Sequence, residues 1–153
     1  MKKLYSLVAI SGLLLCACAS NEKPSNENKV EVSKIDEFNN FASDNAFYFA
    51  FDSSKVNSNE NVIKEYVSKI NDLDDDVLIV ANGYCDNRGS SEYNNALGMR
   101  RAVAVKALLD KKGVSKKVKI DTVSYGKEKF QNYVKDNGKN YQMNRKVEVV
   151  ASK

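Results

Sequence analysis

Apolar and polar residues follow each other along the chain in patterns that predict strands and helices from residue 46 onward. The aromatic run over 46–51 predicts a short strand. Apolar residues at helical spacing over 62–70 predict a first helix. The uninterrupted apolar run over 77–81 follows an acidic turn, and it predicts a central strand that is buried on both faces.

The second half of the chain continues this pattern. A long helix is predicted to begin after Ser90, to extend to about Lys112 and to be closed by Gly113. Alternating apolar residues over 118–122 and 147–149 predict a third and a fourth strand. The predicted order is β-α-β-α-β-β, an α+β fold in which two main helices pack on one mixed four-stranded sheet.

Polar residues dominate the stretch that precedes this pattern. Between Cys18 and Asp44 the sequence is rich in Asn, Ser, Glu and Lys, and few residues there are suited to a core. It therefore predicts a flexible polar linker over 18–44 and a folded domain over 45–153. A short docked segment near the end of the linker stays open, on the evidence of four apolar residues: Val30, Val32, Ile35 and Phe38.

The N-terminus has the pattern of an exported protein. Positive charges at Lys2 and Lys3 precede an apolar stretch over Leu4–Leu15. That stretch is shorter than the roughly 20 residues that a membrane-spanning helix needs. Together these features predict a secretory signal over residues 1–17 that is removed by cleavage.

The end of this signal resembles a bacterial lipobox, in the form Leu15-Cys16-Ala17-Cys18. The resemblance implies cleavage after Ala17 and covalent lipid on Cys18. Cys16 is the poorer candidate, because bulky Leu15 precedes it. An ordinary cleaved signal that happens to contain two cysteines is the alternative.

Composition narrows the chemistry. The chain has three cysteines and no histidine, which excludes Ser-His-Asp and Cys-His catalysis and His-containing zinc sites. With Cys16 removed and Cys18 lipidated, Cys85 has no partner for a disulfide. Loss of the signal lowers the formal net charge from +4 to +2, too weak a bias to predict nucleic-acid binding. We therefore expect no catalytic residues, no metal and no cofactor.

A turn enters the long helix directly after the central strand. Asp86-Asn87-Arg88-Gly89 has the residues of a turn, and Gly89 is free to adopt positive φ. Ser90 is a candidate N-cap, and Glu92 suits the positive end of the helix dipole. Taken alone, these features favour a purely structural turn and cap over a site.

The helical wheel favours a site. One apolar face is predicted to contain Tyr93, Ala96, Leu97, Ala104, Ala107 and Leu108. Asn94 and Arg101 lie about 20° apart on one shoulder of that face. Asp86 follows the central strand, so a carboxylate, an amide and a guanidinium are predicted to converge at the carboxyl end of that strand. Arg100 falls nearer the middle of the apolar face and is predicted to be structural, paired with a carboxylate that the sequence does not identify.

A set of motifs, in order and over about residues 46–150, resembles the OmpA-like C-terminal domain. The matching segments are Phe49–Ser54, Asp86–Gly89, Glu92–Asn94, Leu97–Gly98, Arg100–Ala102, Ser124–Gly126 and Asn144–Val147. With its lipobox and linker, the full layout is similar to that of the lipid-anchored family members of the Tol-Pal envelope system.

The resemblance implies a non-catalytic outer-membrane lipoprotein that binds peptidoglycan through the diaminopimelate of the stem peptide. It implies that Asp86 meets the ammonium at the free end of that residue and that Arg101 meets the neighbouring carboxylate as a bidentate fork. Asn94 adds hydrogen bonds, and Asp52 and Arg145 complete the rim.

The resemblance also implies partners. In that family the same face of the domain meets the TolB propeller, and Ala19 after the lipidated cysteine favours the outer membrane. Two departures from the family pattern stand out. Tyr84 and Cys85 replace the usual His and Thr or Ala, and the segment Lys127–Phe130 lacks the Pro that the family usually has after Tyr-Gly-Glu. A different OmpA-like envelope lipoprotein that acts mainly as a protein-interaction module is the alternative function. A wall-cleaving enzyme is disfavoured by the absence of histidine.

Overall fold

A computed structural model of the chain describes residues 26–129 and 141–153, with side chains from residue 34 onward. The predicted signal, Cys18 and the first part of the linker lie outside the described residues, as does the loop over 130–140. The elements in chain order are α1 (Asn26–Asp44), β1 (Phe47–Tyr48), α2 (Glu60–Asn71), β2 (Leu78–Tyr84), α3 (Ser91–Lys112), β3 (Ile120–Gly126), α4 (Tyr141–Asn144) and β4 (Lys146–Ser152). Among the helices described, none is long and apolar enough to cross a membrane.

The four strands form one mixed sheet in the order β1-β4-β2-β3. β2 pairs with β3 in parallel, and β4 runs antiparallel to both β1 and β2. The predicted α+β class and the mixed four-stranded sheet are therefore confirmed. The last strand, β4, lies inside the sheet between the first and the second strands, and β1 and β3 form the two edges.

Strand β2 is buried on one face only. Ile79 and Ala81 are fully buried, whereas Leu78 on the opposite face is 41% exposed. The prediction of burial on both faces is wrong, because the buried side chains of α1, α2 and α3 all join one cluster on a single side of the sheet. β1 is likewise shorter than the aromatic run that predicted it.

Helix α1 corrects the predicted linker, which was expected to extend to Asp44. Phe38 and Ala42 are buried in the core, and the rings of Phe38 and Phe41 pack edge-on against Tyr66 at centroid distances of 6.1 and 4.9 Å. The folded domain therefore begins within α1, and it has a third long helix besides the two that were predicted.

Asn39 of α1 closes the outer edge of β4. Its side-chain Nδ2 donates to the carbonyl of Ala151 at 2.9 Å, and its Oδ1 accepts from the amide N–H of the same residue at 2.8 Å. This amide takes the place of a neighbouring strand where the short β1 no longer pairs with β4. It satisfies backbone groups that an open edge exposes.

Helix α3 presents a different face to the sheet from the one predicted. Its buried residues are Asn94, Leu97, Gly98, Arg101, Ala102, Val105 and Leu109. Arg101 therefore lies in the middle of the buried face, while Arg100 is exposed and its guanidinium carbon lies 5.8 Å from the ring centroid of Tyr93. The prediction of Arg100 as a structural residue within the apolar face is wrong.

Glycines explain this orientation. A Cβ at Gly98 would lie 2.4 Å from the Ser124 hydroxyl oxygen, and one at Gly83 would lie 2.0 Å from the carbonyl oxygen of Gly98. The backbones of α3 and β2 are in direct contact, so the helix packs through its small residues. The contact between Gly83 and Gly98 fixes the distance between α3 and the end of β2, which is where the candidate site described below is located.

Candidate binding pocket

A cavity of about 160 Å³ opens beside the end of β2 and the start of α3. All five residues that the sequence singled out line it: Asp52, Asp86, Asn94, Arg101 and Arg145. They come from the loop after β1, the turn after β2, helix α3 and the residue that precedes β4. The structure thus brings together the carboxylates, amide and guanidinium groups that were expected to converge.

Asp86 is the buried carboxylate of the cavity, and its residue is 3% exposed. Its Oδ1 accepts hydrogen bonds from the backbone N–H of Arg88 at 3.2 Å and from Nε of Arg88 at 3.1 Å. Its Oδ2 accepts from Nη2 of Arg88 at 2.6 Å and from Nη1 of Arg145 at 3.3 Å. Burial opposes ionisation, but these bonds together outweigh it and hold the pKa of Asp86 below its usual range.

The lowered pKa predicts a pH dependence. Above about pH 4, the pKa of an unfolded Asp, the ionised Asp86 stabilises the fold, and this contribution is lost as pH falls through the lower folded-state pKa. Wild type is therefore expected to be more stable than Asp86→Asn at neutral pH, with the difference shrinking in acid. Urea unfolding at a series of pH values measures it, and a difference independent of pH would contradict the assignment.

Arg101 is completely buried and is held by the backbone. Its Nε donates to the carbonyl of Ser53 at 2.8 Å, and its Nη2 donates to the carbonyl of Ala50 at 3.2 Å. Its Nη1 donates to the carbonyl of Tyr84 at 2.9 Å and to Sγ of Cys85 at 3.3 Å. Burial lowers the pKa of this guanidinium, whose charge is met by these carbonyl oxygens.

The hydrogen bonds of Arg101 limit what it offers to a ligand. A guanidinium has five N–H donors, and the bonds to described residues use four of them. These bonds leave one Nη2 donor of a residue that also lines the cavity. The bidentate contact that the family resemblance implies would require Arg101 to give up one of these partners, either a backbone carbonyl or the thiol of Cys85.

Asn94 joins the turn to helix α3. Its Nδ2 donates to the carbonyls of Arg88 at 2.7 Å and Ser90 at 3.0 Å. Ser90 is the N-cap, and its hydroxyl accepts from the amide of Tyr93 at 3.2 Å. Gly89 has φ of 87°. The predicted turn and cap are confirmed, and both amide protons of Asn94 hold the turn.

Asp52 and Arg145 lie at the rim. Asp52 has a φ of 52°, which a non-glycine residue seldom adopts, and its carboxylate accepts a hydrogen bond from the hydroxyl of Tyr93. Nε of Arg145 donates to the carbonyl of Phe49 at 2.9 Å. Arg145 thus links the loop after β1 to Asp86, and the loop is held at both ends of the cavity.

Sequence reasoning missed Arg88, which it treated as a turn residue only. The guanidinium carbon of Arg88 lies 4.0 Å from the ring centroid of Phe51 and 4.7 Å from that of Tyr141. Its side chain is 42% exposed, against 13% for Arg145. The signal was present, because a cation two residues after Asp86 in a tight turn is within reach of its carboxylate.

Cys85 also contributes more than the small buried residue that was predicted. Its burial is confirmed, and burial raises the pKa of its thiol. Sγ donates to the carbonyl of Asn94 at 3.3 Å while it accepts from Arg101. The thiol therefore occupies the place where a hydroxyl was expected, and it links the two α3 residues of the site.

Comparison with known proteins identifies the family to which this chain is similar in sequence. The sequence profile of the OmpA family matches residues 48–144. The peptidoglycan-associated lipoprotein of Pasteurella multocida is 33% identical over 135 residues, which cover 84% of this chain and 86% of that protein. The protein of the same name from Buchnera aphidicola is 34% identical over 120 residues, or 71% of this chain and 65% of that protein. The chain therefore spans slightly less than two thirds of the Buchnera relative.

Solved structures agree with the sequence comparisons. The crystal structure of the peptidoglycan-associated lipoprotein from Burkholderia pseudomallei matches with a TM-score of 0.66 and 30% identity, covering 78% of this chain and 99% of that one. The C-terminal domain of Helicobacter pylori MotB matches with a TM-score of 0.57 and 23% identity over 71% of this chain and 84% of that one, and it shares the fold. The chain belongs to the OmpA family, within which it groups with the peptidoglycan-associated lipoproteins.

Proposed function

We propose that the chain binds peptidoglycan non-covalently by holding the diaminopimelate of the stem peptide in the cavity beside Asp86. The observation that carries the proposal is a buried carboxylate within a small cavity that three arginines also line. The free end of diaminopimelate has an ammonium and a carboxylate on one carbon. Such a tip requires a negative and a positive partner at fixed separation, which the cavity supplies.

The size of the cavity supports recognition of this tip. Its volume of about 160 Å³ is well below the roughly 300–1,000 Å³ of pockets that enclose drug-sized ligands. It suits the end of an amino-acid side chain and excludes a disaccharide. Asp86 receives the ammonium, and the carboxylate meets the remaining N–H of Arg101 together with the guanidinium groups nearer the mouth.

Asn94, Asp52 and Arg145 support the site by holding its walls. Asn94 fixes the turn that presents Asp86, and Asp52 and Arg145 fix the loop after β1. Binding of this kind breaks no bond and needs no nucleophile. Among the described residues, no group of three or more His, Cys, Asp or Glu side chains is placed to hold a metal ion.

We further propose that the chain links the cell wall to a membrane. The domain binds the wall, and lipid on Cys18 anchors the N-terminus, with Ala19 directing the chain to the outer membrane. The similar proteins from Pasteurella multocida and Buchnera aphidicola are named lipoproteins. We infer that this chain tethers the outer membrane to the cell wall within the Tol-Pal system, where it serves envelope integrity and cell division. TolB and other Tol-Pal components would be its protein partners.

The proposal is tested by sedimentation with purified peptidoglycan sacculi, using the full-length chain in detergent. Asp86→Asn removes the charge and keeps the shape, and it is expected to reduce the sedimented fraction by roughly tenfold or more, as expected when a charged partner is lost. Asp110→Asn is the matched control, because Asp110 is an exposed carboxylate outside the cavity that pairs with Lys106 in the same helix. Circular dichroism checks that both variants are folded.

Undiminished sedimentation of Asp86→Asn, with Asp110→Asn also unchanged, would contradict this use of the cavity. Loss of sedimentation in both variants would show that the effect of Asp86→Asn is not specific to the cavity.

A second candidate function is a protein-interaction module that uses the same face. Two large aromatic side chains at the cavity mouth favour it, since Phe51 is 61% and Tyr93 is 47% exposed. Exposed aromatic residues are typical of interface centres. Binding to TolB in a pull-down, without any binding to sacculi, would support this function over the first.

A further inference from the structure

Arg88 forms an ion pair with Asp86, the carboxylate that is proposed to bind the ammonium of the ligand. Its Nε and Nη2 form a two-point fork with both oxygens of Asp86, at 3.1 and 2.6 Å. The side chain of Asp86 is only 4% exposed beneath this fork. An arriving ammonium therefore finds its carboxylate partner already engaged by an internal cation.

Arg88 is the arginine of the cavity that is best able to move aside. Arg101 is fully buried and tied to three backbone carbonyls, and Arg145 is tied to the carbonyl of Phe49. Among the described residues, the Arg88 guanidinium is held by Asp86 and by the faces of two aromatic rings. Contacts with ring faces allow a planar group to turn with little loss, so the fork is able to exchange its carboxylate.

Exchange has different consequences for two kinds of ligand. A plain alkylammonium that displaces Arg88 replaces one ion pair with another and leaves a guanidinium without a carboxylate. A zwitterionic tip brings its own carboxylate, so one internal ion pair becomes two intermolecular ones. The second exchange is favoured because both cations and both carboxylates stay paired.

We propose that Arg88 makes the pocket selective for a zwitterionic tip over a plain alkylammonium, by competing for Asp86 until the ligand offers it a carboxylate. This inference rests on the proposed binding of diaminopimelate. It assigns to Arg88 the discrimination between stem peptides with diaminopimelate and those with lysine, whose side chain ends in an ammonium alone. In this proposal Asp86 contributes affinity for both kinds of stem peptide, and Arg88 accounts for the difference in affinity between them.

Calorimetric titration tests this selectivity with two synthetic stem tripeptides, one with meso-diaminopimelate and one with L-lysine at the third position. The protein is the full-length chain in detergent, as wild type, Arg88→Gln and Arg100→Gln. Arg100→Gln is the matched control, because it removes the same charge from an exposed arginine that does not line the cavity.

Wild type is expected to prefer the diaminopimelate peptide. Arg88→Gln is expected to bind the lysine peptide more tightly than wild type does, so that the affinity ratio falls by roughly tenfold, whereas Arg100→Gln keeps the wild-type ratio. A wild-type preference that Arg88→Gln leaves unchanged would overturn the role of Arg88 and leave the proposed function standing. Binding of neither peptide to wild type would contradict the proposed function, and the role of Arg88 with it.

A measurement on wild type alone avoids any effect of substitution on folding. The NMR signal of the Arg88 side-chain Nε is expected to shift when the diaminopimelate peptide saturates the site, because the guanidinium changes its carboxylate partner. An unchanged Arg88 signal at saturation would overturn the exchange, since Arg88 would then still be paired with Asp86.

Discussion

Gly83→Ala is expected to destabilise the domain by about 3 kcal/mol or more, among the largest effects of any single substitution in this chain. A Cβ at this position would lie 2.0 Å from the carbonyl oxygen and 2.7 Å from the carbonyl carbon of Gly98. Both atoms belong to the backbone of α3, so a side-chain rotation does not relieve the clash. Helix α3 must move away from β2, and Arg101 and Asp86 separate with it.

Urea unfolding measures this change in the free energy of unfolding. The matched control is Gly113→Ala, at the C-cap of α3, where φ is 113° and the nearest atom to a new Cβ is a methyl of Val67 at 3.9 Å. Gly113→Ala introduces backbone strain without a clash, and its free energy of unfolding is expected to fall by about 1 kcal/mol. Equal losses in the two variants would show that the contact between α3 and β2 is less close than described.

Arg101→Leu is expected to destabilise the domain by about 3–5 kcal/mol and to abolish binding to sacculi. The substitution removes four hydrogen bonds and leaves the carbonyls of Ala50, Ser53 and Tyr84 without this partner. These carbonyls belong to the loop after β1 and to the end of β2. Arg101 therefore holds together two walls of the cavity as well as lining it.

Arg100→Leu is the control for this prediction. It changes the neighbouring arginine, which is exposed and does not line the cavity, and is expected to alter the free energy of unfolding by no more than about 0.5 kcal/mol. Unfolding by urea measures both variants. Similar costs for Arg100→Leu and Arg101→Leu would contradict the central position of Arg101 in the buried face.

Local sequence signals predicted much of the fold. Ser90 as N-cap and Gly113 in the left-handed conformation bound α3 as the sequence indicates, because capping depends on residues close in the chain. The strands β2, β3 and β4 overlap the segments predicted as strands for the same reason, although β3 begins at Ile120 and extends to Gly126, beyond the predicted 118–122. Helix α1 was not predicted as a helix, although Phe38 indicates a short docked segment. From residue 34 onward only a few of its side chains, among them Phe38 and Ala42, are buried, and such sparse apolar residues resemble a linker.

The orientation of α3 also depended on information absent from the helical wheel. A wheel weighs apolar side chains, whereas α3 approaches β2 through Gly98 and buries Asn94 and Arg101. The hydrogen bonds of Arg101 explain why a charged residue lies there, and two of their acceptors, the carbonyls of Ser53 and Ala50, are about fifty residues away in the sequence. Contacts over that separation cannot be read from local periodicity.

The candidate site was predicted in its members but not in its internal bonding. Asp86, Asn94 and Arg101 do line one cavity, as their positions after β2 and along α3 indicated. The pairing of Asp86 with Arg88 was not predicted, since a turn residue's side-chain direction depends on the rings of Phe51 and Tyr141 from distant segments. That pairing changes the role expected of Arg101, because Arg88 is the more accessible guanidinium.

A crystal structure of the chain with a stem tripeptide that contains meso-diaminopimelate tests the central claim most directly. We expect the free ammonium of diaminopimelate within hydrogen-bonding distance of Asp86, its carboxylate on the guanidinium groups of the same cavity, and Arg88 turned away from Asp86. A peptide bound elsewhere on the domain, with the pair of Asp86 and Arg88 intact, would contradict the account.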